Sequence, residues 1–150
     1  MDNSVALTQL AMTDHIQIYS AQSAKKTSVV FSDFKIGKIT LASHLGVGDE
    51  LSAIDVDPRY ARQLLLREKS ELGTGRVPLY VCGCCADLGC GATTVLVEDL
   101  GREIRWSEFG RESFGDGPLI QDVYMKRTGP YHFDKIEYYS VINPYTQKQS

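Results

Sequence analysis

Apolar and polar residues change period along this chain, and the changes mark its elements. His15-Ile-Gln-Ile-Tyr-Ser20 alternates with period two, as a half-buried strand does. Ser28 to Leu41 is rich in Val, Ile, Phe and Thr, with Gly37 inside it at a bend or hairpin. Leu41 to Ile54 fits no single period; short helical turns are expected around Gly46 and Gly48. Asp57-Pro58 then opens a helix over 58–72. Asp57 suits the N-cap and Pro58 the first turn, where its missing N–H has no helical partner anyway. Tyr60, Leu64 and Leu72 can share one face before Gly73 ends the helix.

A three-stranded meander is expected over 77–109: Val77 to Cys82, Ala92 to Val97, and Glu103 to Phe109, with Asp99-Leu-Gly101 as a turn. Tyr80, Val95, Val97, Ile104 and Trp106 are its candidate core. Residues 110–121 carry Gly110, Gly115, Gly117 and Pro118 and read as a loop. Gly129-Pro130 opens a last unit, with a short strand at 131–133. Asp134 then caps a helix over 134–142 that stops before Pro144. On that helix Tyr138 and Tyr139 read as a packing face. The tail after Pro144 is polar and expected to be loose. The pattern predicts a single α+β domain, residues 1–150, with a mainly antiparallel sheet.

Composition narrows the function classes. The chain has 150 residues, 43% hydrophobic and 23% charged, enough apolar material for one core. Net charge is −3 and the pI about 5.6. A basic footprint for nucleic acid is missing, and Lys25-Lys26 and Lys126-Arg127 read as solvated pairs. No apolar run approaches the length of about 20 residues that spans a bilayer. The N-terminus lacks the basic segment of a signal peptide, so a cytoplasmic location with reduced thiols is expected.

All four cysteines fall between Cys82 and Cys90: Cys82-Gly-Cys-Cys-Ala-Asp-Leu-Gly-Cys90. Zinc is one reading. Cys82 and Cys85 have Cys-x-x-Cys spacing, Cys90 can return as a third ligand, and Cys84 or a histidine can be the fourth. His132 is preferred there to His15 and His44. Thiol redox is a second reading, weakened because glycines and a β-branched run follow where a thiolate-stabilising helix would have to start. The plain reading is a glycine-rich hairpin in which small soft side chains pack and Asp87 caps the loop.

The residues Tyr80, Cys82, Cys85, Asp87, Cys90 and Gly91, followed by Trp106 and Phe109, resemble a Tyr-x-Cys-x-x-Cys-x-Asp-x-x-Cys-Gly … Trp-x-x-Phe pattern. It is that of a group of small uncharacterised bacterial proteins, some labelled oxidoreductase without a known reaction. The resemblance implies a bacterial source and singles out Cys82, Cys85 and Cys90, with Cys84 outside the pattern. It says little about function.

No triad, phosphate loop or paired catalytic carboxylates can be assigned. Glu98, Asp99, Glu103, Glu108 and Glu112 alternate with arginines and read as a solvated face. The expected function is therefore a small cytosolic binding protein without catalysis. In its most concrete form it is an immunity- or antitoxin-like protein that masks a toxin domain. Asp99, Glu103, Glu108, Glu112, Asp116 and Asp122 would attract a basic partner. No cofactor, nucleic acid or membrane is expected. The alternative is a thiol- or zinc-dependent enzyme centred on Cys82, Cys85 and Cys90.

Overall fold

A computed structural model describes residues 6–20, 26–47, 50–82, 91–112 and 128–147. The architecture is α+β, built on two antiparallel sheets. The first has the order β1-β2-β3, with β1 Leu10–Ser20, β2 Lys26–Ile36 and β3 Ile39–Thr40. The second has the order β4-β5-β6-β7-β8. Its strands are β4 Glu50–Ser52, β5 Val77–Cys82, β6 Ala92–Asp99, β7 Glu103–Glu112 and β8 Tyr131–Asp134.

The strands expected at 15–20 and within 28–41 are present in β1 and β2, with β1 starting earlier, at Leu10, and Ile16 of the alternating stretch exposed rather than buried. The two pair along their whole length from Leu10↔Ile36 to Ser20↔Lys26. Gly37 turns β2 into β3 at a φ of 61°, where a side chain would be strained, and its N–H donates to Gln9 O at 2.9 Å. Helix α1, Leu41–Leu45, ends on Gly46 in the left-handed region. This is the helical turn expected near that glycine. Strand β4 and the short helix α2, Ala53–Val56, fall in the stretch whose periodicity settled nothing.

Helix α3, Pro58–Leu64, begins as the sequence predicts: Asp57 Oδ1 accepts from Arg59 N at 2.9 Å. It does not run on to residue 72. Leu66 takes a φ of 60°, and Arg67 N bonds back to Arg62 O at 2.9 Å, closing the helix. The Arg67-Glu-Lys-Ser stretch that follows offers no apolar face to bury. The meander 77–109 is present as β5, β6 and β7. The last unit follows expectation too: Asp134 Oδ2 accepts from Glu137 N at 3.0 Å and starts helix α4, Lys135–Ile142. The tail does not stay loose up to 147. Asn143–Thr146 form a 3-10 helix, tied to α3 by Arg62 Nη1 donating to Thr146 O at 3.1 Å.

The two sheets face each other across one core. Trp106, fully buried, is its centre: Phe34 from β2, Phe133 from β8 and Tyr138 from α4 meet it edge-on at 5.3, 5.2 and 6.0 Å. Trp106 Nε1 donates to Tyr138 Oη at 3.1 Å, and that hydroxyl donates to Leu64 O at 2.6 Å. Tyr80, Val95, Val97 and Ile104 join the same core, as expected. Among the described residues no helix is long and apolar enough to cross a membrane.

Candidate functional site

Several acidic side chains are buried, and Asp33, Glu50 and Glu112 are each taken up by the fold. Asp33 on β2 is fully buried. Its Oδ1 accepts from Phe34 N at 2.8 Å, Ala42 N at 3.3 Å and the Tyr80 hydroxyl at 2.5 Å. His15 Nδ1 lies 3.5 Å from Oδ2. Thr40, at the N-cap of α1, makes no capping bond; Asp33 supplies it from the neighbouring strand. Burial first, then the Asp33 charge, pushes the Tyr80 phenol well above its ordinary value.

A second polar group sits where β5 and β6 run out toward the cysteine segment. Glu50, paired in register with Cys82, accepts from Thr93 Oγ1 at 2.9 Å and forms an ion pair with Arg111. Glu112, level with Ala92, is fully buried and accepts from Thr94 Oγ1 at 2.5 Å and Thr74 Oγ1 at 2.9 Å. Nearby, the buried Arg76 clamps a bulge in β7. Its Nε donates to Glu108 O at 3.0 Å, and Glu108 takes a φ of 51°. Gly110 makes room for this guanidinium, since a Cβ there would lie 2.8 Å from Arg76 Nη2.

A groove lies on the other sheet. The side of β2 that faces away from β1 is covered by β3 only at Lys35 and Ile36. Beyond that, carboxylates take the outward N–H groups: Asp33 holds Phe34 N, and Asp55 Oδ2 accepts from Ser32 N at 2.6 Å. A groove of about 470 Å³ opens beside this edge, lined by Asp14, Val30, Ser32, Asp55, Tyr145 and Gln147 among others. Val30 is 59% exposed and Ile16, directly opposite it on β1, is 64% exposed. Among the described residues no Lys, Arg or His forms an ion pair with Asp14 or Asp55.

The residues singled out by sequence scatter. Asp99 is exposed and bonded to Lys135 Nζ at 2.8 Å, which holds its carboxyl below the usual range. Glu103 Oε1 lies 2.7 Å from His132 Nδ1. Glu108 is exposed. Glu112 is not on a solvated face: the network of Thr74 and Thr94 takes it inside. Asp116, Asp122, Cys84, Cys85, Asp87 and Cys90 lie outside the described residues, as does most of the loop expected at 110–121. Cys82 closes β5 opposite Glu50.

His132 is misplaced as a fourth ligand beside Cys82. It pairs with Arg105, seven positions along β7 from Glu112, and β8 is three strands away from β5. At about 4.8 Å per strand and about 3.4 Å per residue, the two are more than about 20 Å apart, against a zinc–nitrogen bond of about 2 Å. The groove escaped the sequence reading because Ser32, Asp55 and Tyr145 meet only in the fold. Asp57, beside the groove, is the helix cap expected of it.

No protein-family model, curated protein or solved structure matches this chain.

Proposed function

We propose that this chain is a non-catalytic binding protein of the cytoplasm, in its most concrete form an immunity- or antitoxin-like protein that masks a basic toxin domain. One observation carries the reading: Ile16 and Val30 stand exposed and opposed on the β1–β2 ribbon, flanked by Asp14 and by the groove that holds Asp55. Opposed apolar side chains on a ribbon suit a partner surface, and the carboxylates favour a basic one. The buried acids point the same way, because Asp33, Glu50 and Glu112 spend their lone pairs on internal donors. The acidic surface expected on β6 and β7 contributes less, since Asp99 and Glu103 already have partners. Under this reading the thiols of the cysteine segment stiffen the scaffold.

Affinity capture with the tagged chain from its source organism tests the proposal. A stoichiometric complex with a basic protein is expected, weakened by salt, in which the captured activity is suppressed. A chain that captures no protein, or one that turns over a substrate and loses that activity on Cys82→Ser, would replace this reading with the thiol or zinc enzyme.

A further inference from the structure

We propose that the edge of β2 at Val30 and Ser32, against which no described strand pairs, receives an extended basic segment of the partner protein. The segment adds to the three-stranded sheet as a new strand and displaces the Asp55 carboxylate from Ser32 N–H. This inference rests on the binding-protein reading above and names its mode.

The geometry of the edge supplies the argument. In an antiparallel ladder the N–H groups of alternate residues point to opposite sides. Phe34 N and Ser32 N both meet carboxylates rather than β1, so the even positions of β2 present their backbone away from β1. The register carries this on to Val30, which pairs with Ile16 on β1. A strand would normally cover this side. Strand β3 does so for two residues, then Leu41 turns away into α1.

Asp33 and Asp55 occupy the positions where the carbonyl oxygens of a further strand would sit. The two are not alike. Asp33 is fully buried and also caps α1, so it is fixed in place. Asp55 is exposed, reaches Ser32 from 23 positions away, and stands at the rim of the groove. Its contact is one that an incoming backbone carbonyl can replace.

The chemistry of the occupant follows. An exposed strand edge selects an extended backbone, which gains main-chain hydrogen bonds. Val30 and Ile16 select apolar side chains on one face of that strand. Asp14 and the released Asp55 select lysine or arginine beside them. Asp14 and Ile16 are two positions apart on β1 and share one face of the sheet, so the incoming strand carries its apolar and its basic residues on that same face, two positions apart.

The probe is a blocked seven-residue peptide in which valine and lysine take turns at every second position with threonine between them, titrated into the whole protein and followed by amide NMR. A valine–glutamate peptide serves as the charge control. A valine–lysine peptide N-methylated on one edge serves as the backbone control. The lysine peptide is expected to shift the Val30, Ser32 and Asp55 amides and to bind at least tenfold more tightly than either control. Asp14→Asn with Asp55→Asn should weaken it by a similar factor, and Val30→Pro, which removes the outward donor, should abolish it. Equal affinity for the three peptides, shifts confined to another surface, or no binding overturns the inference.

The two proposals fail separately. A captured partner that binds wild type and the double Asp→Asn variant equally leaves the binding-protein reading standing and removes the strand-addition mode. A lysine peptide that docks at Val30 in a chain that captures no protein does the reverse.

Discussion

Asp33 shows how a single buried charge is held. It accepts from two backbone amides and from Tyr80, with His15 on its other oxygen. Removing the Tyr80 hydroxyl leaves the carboxylate one donor short in a dry environment. Tyr80→Phe should therefore lower stability by about 1–3 kcal/mol, measured by denaturant unfolding. The buried phenols also set the alkaline limit. Tyr80 and Tyr138 are held protonated in the fold, both by burial first. Their folded values lie above the unfolded one, so the stabilisation is complete below pH about 10 and is lost as pH rises beyond it. Unfolding free energy should fall between pH 10 and 11.5, and the Tyr138→Phe variant should show a shallower fall. A slope unchanged by that substitution would mean that other groups control it.

At the scale of elements, caps and periodicity were legible and endings were not. Asp57-Pro58 and Asp134 start helices where the sequence places them, because each cap is a contact between near neighbours. The meander strands were legible from their apolar alternation. The end of α3 was not, since it depends on Leu66 entering the left-handed region, which no local signal requires of a leucine. That strain makes a prediction. Leu66 is 42% exposed, so Leu66→Gly loses little packing and should raise stability, by about 1 kcal/mol, whereas Leu65→Gly in the adjacent buried site should lower it. Strand β4 escaped notice because three residues carry too little pattern. In β7, Gly110 is required by the passing Arg76 guanidinium rather than by a turn. Gly110→Ala should cost about 1–3 kcal/mol in a denaturant titration by displacing that side chain from the bulge.

For the whole molecule, the antiparallel class and the core residues could be read in advance, and the groove could not. Core membership follows from hydrophobicity at strand positions, so Trp106 and Tyr80 announced themselves. The groove needs β2, α2 and the 3-10 helix at 143–146 brought together from distant parts of the chain. The same limit explains Glu112, whose charge suggested solvent and whose threonine neighbours only the fold supplies. The proposal that the thiols only pack belongs to this scale. Cys85→Ala should lower stability by about 1–3 kcal/mol, with the melting temperature of the wild type unchanged by a chelator. Chelator-induced unfolding would instead indicate a structural metal.

The central claim is that the β1–β2 ribbon and its groove form the contact surface. Amide hydrogen exchange of the chain with and without its captured partner tests it most directly. The account predicts new protection at residues 14–16 and 28–32 on binding. Protection confined to the β6–β7 hairpin around Asp99 and Glu103, or to the strand ends beside Cys82, would contradict it.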